Sequence, residues 1–197
     1  MVGAIHEWIG NNTLHDTISL YCFSQLRGSK VIKNDLDFKQ GAKWFISGFD
    51  ITLMKKIISG IMADPNVCFG MTVKDIVIQE TPDLSSIEYF HVASPIFIKR
   101  TINNAVKHFL YTDKEANNLL VETLKNKMQK IGLVDDSLEI EFDINYPKAK
   151  TKLLTYNTIK NKANYCPVRI KGKPETKQFA WDVGIGNSTG IGFGALI

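Results

Sequence analysis

Apolar residues Ile5, Trp8 and Ile9 fall on one side of a helix over residues 1 to 10, and Gly10 followed by Asn11 and Asn12 stops it. The run from Thr17 to Leu26 (TISLYCFSQL) is rich in β-branched and aromatic residues and predicts a strand; Lys43 to Ser47 (KWFIS) predicts a second. Residues 51 to 62 (ITLMKKIISGIM) repeat apolar side chains at three- and four-residue spacing behind Asp50, a suitable cap, and Asp64-Pro65 closes that helix. Met71 to Glu80 (MTVKDIVIQE) reads as another strand.

The second half opens on a short strand at Ser94 to Arg100 (SPIFIKR). A long helix capped by Thr112 or Asp113 runs to about Ile131, with Ala116, Leu119, Leu120, Leu124 and Met128 along its buried side. Leu138 to Asp143 (LEIEFD) alternates apolar and acidic residues with period two, the mark of a half-buried strand. Strands at about Lys150 to Tyr156 and Tyr165 to Lys171, a short helix near Glu175 to Trp181 and a closing segment Gly190 to Ile197 complete the pattern. Strand, helix, strand, strand, helix, strand is the ferredoxin-like order. The first half repeats it without an opening strand. The chain is therefore expected to be α+β, with two tandem ferredoxin-like units at residues 1–92 and 93–197.

Composition narrows the class. At 197 residues and 44% hydrophobic content the chain is neither disordered nor fibrous. No apolar run reaches a membrane-spanning length, and the first residues lack signal-peptide features, so a cytoplasmic protein that binds no membrane is expected. Cys22, Cys68 and Cys166 are widely spaced with no Cys-x-x-Cys, which excludes a zinc knuckle and reads as three small buried hydrophobes. The net charge of +4 is unevenly distributed: Lys148 to Lys177 carries nine basic residues against Glu175 alone. Such a stripe is the footprint of a polyanion partner, although lysines also protect edge strands from pairing.

The C-terminal segment VGIGNSTGIGFGALI places Gly184, Gly186, Gly190, Gly192 and Gly194 within eleven positions. A P-loop would need Gly-Lys-Ser/Thr, and the dinucleotide fingerprint would need glycine where Thr189 stands; both fail, so no nucleotide cofactor is expected. A pair of tight turns is the plain alternative to a phosphate-lining loop.

Gly-hydrophobic-Gly, a polar spacer and a second Gly-hydrophobic-Gly at the C-terminus of a tandem ferredoxin-like chain resembles the RAMP proteins, whose domains are RRM-like. With LHD followed by SLYCFSQL, and SPIFIKR opening the second half, the chain is similar to the CRISPR-associated endoribonucleases of the Cas6 family. The resemblance implies metal-independent cleavage of precursor CRISPR repeat RNA, leaving a 2′,3′-cyclic phosphate and a 5′-hydroxyl. It needs no cofactor. Histidine suits both proton transfers because its pKa lies near working pH. His15, in the loop where the family carries its catalytic histidine, is the first choice, and His6 on the preceding helix is the second; His91 and His108 read as structural or surface residues. The family lysine that follows the histidine has no counterpart between Asp16 and Gln25, and Lys150, Lys152, Lys160 or Lys162 are the substitutes.

For RNA binding the expected surface is continuous: Lys150, Lys152, Lys160, Lys162, Arg169, Lys171 and Lys173 with the loop residues Gly184, Gly186, Asn187, Ser188, Thr189, Gly190 and Gly192. The polar spacer is favoured for phosphate contact because it has little packing use. Tyr156, Tyr165 and Trp181 are read as core before stacking platforms. A non-catalytic RNA-binding RAMP subunit is the alternative, and a general RNA-recognition-motif protein ranks below it, because GIGFGAL has only Phe193 where that motif needs more aromatics. The implied partners are CRISPR repeat RNA and an interference complex, and a homodimer stays open.

Overall fold

The computed structural model describes residues 1–10, 18–33 and 35–197. Helix α1 (Val2–Ile9) forms where the apolar spacing predicts, burying Ala4, Ile5, Trp8 and Ile9. In the first half follow β1 (Tyr21–Phe23), β2 (Lys30–Ile32), β3 (Asp35–Asp37), β4 (Ile46–Gly48) and α2 (Ile51–Ala63). Asp50 caps α2, its carboxylate accepting the Thr52 amide at 2.8 Å. The two helices meet at Gly60, where a Cβ would stand 2.3 Å from the Trp8 carbonyl oxygen; only a residue without a side chain permits that approach. The Trp8 indole donates to the Asp64 carbonyl at 2.8 Å, which fixes α1, and with it His6, against α2.

Strand β1 pairs antiparallel with β4, Phe23 opposite Ile46. It is shorter than TISLYCFSQL predicts. At Ser24 the side chain intrudes: the Phe45 amide donates to the Ser24 hydroxyl at 2.9 Å, and the Ser24 carbonyl accepts the Trp44 indole at 3.1 Å. Side-chain bonding of this kind competes with the ladder and ends it. Tyr21 and Phe23 join Ile5, Trp8, Leu53 and Ile57 in one core cluster.

Met71 to Glu80 is not a strand. Only Thr72 makes a bridge, to Asn66, and Val77 and Ile78 are 72% and 78% exposed. A run of this composition forms a strand only where a neighbouring edge supplies the backbone partners.

The second half contains β5 (Tyr89–Phe90), β6 (Lys99–Ile102), β7 (Ala105–His108), α3 (Ala116–Gln129), β8 (Glu139–Phe142), β9 (Lys150–Tyr156), β10 (Ile159–Tyr165), β11 (Val168–Lys171), α4 (Pro174–Val183) and a 3-10 turn at Thr189–Ile191. An antiparallel sheet has the order β5-β11-β8, with Val168 opposite both Phe90 and Phe142 and Ile170 opposite Ile140. Those side chains pack on Leu120, Leu124 and Met128 of α3 and on Phe179, Ala180 and Val183 of α4 to form the larger core. The strand expected over Tyr165 to Lys171 is divided between β10 and β11 at Pro167, which has no N–H to donate to a ladder. Hairpins β6–β7 and β9–β10 turn at Asn103-Asn104 and Asn157-Thr158, all four at positive φ.

Residues 94–98 form the spine between the halves rather than a laddered strand. Ile96 exchanges both backbone bonds with Asn164, at 2.9 and 2.7 Å, while Pro95 and Phe97 offer their carbonyls to Gly194 and Asn187. Cys22 and Cys166 are buried as expected, but Cys68 is only half-buried, because it follows the end of α2 in a surface turn. Among the described residues, no helix is long and apolar enough to cross a membrane.

Candidate nucleic-acid interface

Helix α4 ends at Val183, and the chain then doubles back against the spine. The Ile185 amide donates to the Gly194 carbonyl at 3.0 Å, and the Asn187 amide donates to the Phe97 carbonyl at 2.7 Å. Tyr21 donates its hydroxyl to the Gly190 carbonyl at 3.1 Å, and a Cβ at Gly190 would stand 2.3 Å from the Ser19 hydroxyl oxygen. A Cβ at Gly184 would come within 2.9 Å of Cys22, one at Gly192 within 2.7 Å of the Phe23 ring, and one at Gly186 within 2.5 Å of the Phe97 carbonyl oxygen. The glycine density thus has a packing cause: it lets the C-terminal loop lie flush against β1 and the spine.

The polar spacer also has structural work, contrary to expectation. The Asn187 side-chain oxygen accepts the Lys99 amide at 2.9 Å and Arg100 Nη1 at 3.3 Å. Arg100 Nη2 in turn donates to the Leu119 carbonyl and the Thr123 hydroxyl, both at 3.0 Å, and lies 3.4 Å from Glu122. Thr189 is 1% exposed and accepts the amine of Lys127 at 2.9 Å. Ser188, at φ 62°, is half-buried.

Above this loop lies a cleft of about 620 Å³ between α1, β1, β6, α3 and residues 186–191. His6 lines it together with Ser19, Tyr21 and the Asn187–Gly190 stretch. Among the described residues, its basic side chains besides His6 are Lys99, Arg100 and Lys127, against Glu122 as the acid. Burial lowers the Lys127 amine to a pKa of about 7, and burial raises the Tyr21 phenol to about 12, helped by Tyr156. His15 lies outside the described residues; Ile18, three positions further along the chain, lines the cleft.

The lysine stripe does not present one continuous surface. Register places Lys150 opposite Tyr165 and Lys152 opposite Ala163, whereas Lys160 faces Thr155 and Lys162 faces Leu153. Side chains alternate across a pleated strand, so the two pairs project from opposite faces of the hairpin. The first pair stands over the Tyr165 ring, at 6.0 and 5.5 Å from its centroid, and the Tyr165 hydroxyl bonds Gln25. The Lys162 backbone amide donates to His108 Nδ1 at 3.3 Å; burial, then Lys99 and Lys162, lowers the His108 pKa. Arg169 lies 3.9 Å from Glu88, and Lys171 lies 2.9 Å from Glu139. Lys173 donates to the Val134 carbonyl at 3.1 Å. None of these stripe residues lines the cleft. His91 is exposed between the rings of Tyr89 and Tyr146, and Trp181 packs edge-on against Phe45.

Sequence reasoning missed Lys99, Arg100 and Lys127. Only Lys127 had a signal: with Leu120 and Leu124 it continues the apolar stripe of α3 at four- and three-residue spacing. A charge on such a stripe calls for buried partners.

A family profile described as "CRISPR associated protein Cas6, C-terminal" matches residues 79–196. Among curated proteins no sequence relative matches. A solved structure titled "CRISPR associated protein Cas6" superposes with a TM-score of 0.81 at 19% identity, over 100% of this chain and 88% of that one. A Cas6-related protein from Pyrococcus furiosus gives 0.80 at 20% identity, over 100% and 87%. A structure described as a RAMP protein binding different RNA substrates gives 0.77 at 21%, over 99% and 88%. The likeness is one of fold, and the antiparallel sheets and flanking helices agree with the expected α+β, ferredoxin-like class.

Proposed function

Because the chain belongs to the CRISPR-associated Cas6 family, we propose that it cleaves CRISPR repeat RNA at the cleft beside His6. The observation that carries this reading is the convergence of His6, Lys99 and the C-terminal loop on one basic cleft, at the junction of the units proposed as residues 1–92 and 93–197.

In the proposed reaction one histidine takes the proton of the ribose 2′-OH, and the 2′-oxygen attacks the adjacent phosphorus. The bond to the 5′-oxygen breaks, the second histidine protonates that oxygen, and the products are a 2′,3′-cyclic phosphate and a 5′-hydroxyl. His15 and His6 take these two roles. Each such group is typically worth about 10² to 10⁴ in rate. Tyr21 is unsuited as a base, since its hydroxyl is spent on Gly190 and its pKa is raised to about 12. Lys99 stands at the cleft as the cation for the phosphate, in place of the lysine missing after His15.

The test is incubation of end-labelled repeat RNA in EDTA beside the same RNA with a 2′-deoxy nucleotide before the scissile phosphate. Cleavage of the first alone supports the reading; equal cleavage of both overturns it. His15→Ala and His6→Ala should each lower the cleavage rate by at least about 100-fold with affinity nearly unchanged. Unimpaired cleavage by either variant overturns that residue's role. A second reading, a non-catalytic RNA-binding subunit, draws on Arg100 and Lys127 being bonded within the protein. Tight binding without turnover would select it.

A further inference from the structure

We propose that Lys127 is a positioning residue of this cleft: its buried amine ties helix α3 to both ends of the turn 183–189 and so fixes the floor on which RNA rests. This role rests on the RNA reading above. Lys127 is 4% exposed, and its amine nitrogen lies within hydrogen-bond distance of three partners, the Val183 carbonyl at 3.0 Å, the Gly184 carbonyl at 3.1 Å and the Thr189 hydroxyl at 2.9 Å.

The acceptors explain why a lysine occupies the apolar stripe. Val183 and Gly184 close α4, where the last carbonyls of a helix have no partner inside it and carry partial negative charge. Lys127 reaches across from α3 to satisfy them, then bridges to Thr189 on the far side of the turn. Arg100 holds the same loop through Asn187 and is itself bonded to α3 at Leu119 and Thr123. Helix α3 therefore grips the loop at both shoulders, with Ser188 between them at the cleft. Of the gripped residues Asn187 and Thr189 line the cleft, and Gly190, next along the chain, accepts the Tyr21 hydroxyl. A shift of this turn would move the cleft floor and its packing on β1 together.

The experiment compares the wild-type chain with Lys127→Met, which keeps the length of the side chain and removes its donors, and with Leu124→Val, a core change one turn away on the same helix. Two quantities are read well below the unfolding temperature: amide hydrogen exchange over residues 184–192, and affinity for CRISPR repeat RNA. Lys127→Met should speed exchange across that loop by tenfold or more and weaken RNA binding about tenfold, while Leu124→Val lowers the melting temperature and leaves both at wild type. Wild-type loop exchange in Lys127→Met, or equal changes in the two variants, overturns the proposal. Should Lys127→Met fail to fold, Thr189→Val removes one acceptor with the shape retained. It should speed loop exchange several-fold, and no change overturns the proposal. If wild-type protein binds no repeat RNA, the RNA reading falls, and the exchange measurement still decides what Lys127 does.

Discussion

Ile185 and Gly194 are joined back to back across the C-terminal loop. The Ile185 amide donates to the Gly194 carbonyl at 3.0 Å, and a Cβ on Gly194 would sit 1.9 Å from the Ile185 carbonyl oxygen at φ 69°. No side chain fits there without opening the loop. Gly194→Ala should therefore cost more than about 3 kcal/mol, as strain in the backbone and a clash act together. Gly3→Ala, where nothing lies within 4 Å in helix α1, should be neutral or gain up to about 1 kcal/mol. Denaturant melts of the two variants check the contrast.

The pKa of Lys127, lowered to about 7 by burial, makes stability depend on pH with a definite sign. Between pH 7 and about 10, the ordinary lysine range, the unfolded chain holds a proton that the folded chain has released, so the contribution of Lys127 to stability rises with pH. Lys127→Met should lack this rise, and the difference between the two melting curves isolates it. The neighbouring Cys22 and Tyr21, both raised to about 12, stay neutral in the folded chain across the window; in the unfolded chain they titrate at about 8.5 and about 10, which lowers stability with rising pH in both proteins. His6, Lys99, Arg100 and Glu122 at the cleft are common to both proteins, so their contributions cancel.

Asp182 of α4 accepts the hydroxyls of Ser47 and Thr81, each at 3.4 Å, and burial raises its pKa to about 6 despite those bonds. The folded chain keeps a proton here that the unfolded chain loses near pH 4, so stability falls as pH rises from 4 to 6. Cys22, whose thiol donates to the Asp182 carbonyl, remains neutral there, and Glu175 borders the same hollow. Asp182→Asn should raise stability at pH 7.5 by about 1 kcal/mol, the shift being discounted for partial solvent exposure, and by nothing at pH 4. Thermal melts at the two pH values test it.

The two lysine pairs of the β9–β10 hairpin should behave differently with RNA. Lys162 adjoins His108, which also feels Lys99 at the cleft, whereas Lys150 and Lys152 stand over Tyr165 on the other face. Replacing Lys160 and Lys162 by Ala should weaken repeat RNA binding and reduce the salt slope by about 0.7 for each phosphate no longer neutralised. The Lys150→Ala and Lys152→Ala pair, drawn over Tyr165, should change the slope less. Affinities measured across a range of salt concentrations decide between the faces.

What the sequence by itself determined was local. Apolar spacing placed α1, α2 and α3, Asp50 marked the cap of α2, and alternation located β8, because each depends on residues within a turn or two of one another. The C-terminal glycines pointed to the right family. Tertiary structure decided what their loop touches. It gave the glycines a packing role against Ser19, Cys22 and Phe23, bonded Asn187 and Thr189 inward, and left Met71 to Glu80 without a strand partner. Likewise the stripe from Lys148 to Lys177 is continuous only along the chain: strand register sends Lys150 and Lys160 to opposite faces and sets Lys171 beside Glu139. Burial and pairing across a hundred residues of chain depend on which surfaces meet. No window of sequence contains that, so the partners of Arg100 and Lys127 became visible only once α3, α4 and β6 were brought together.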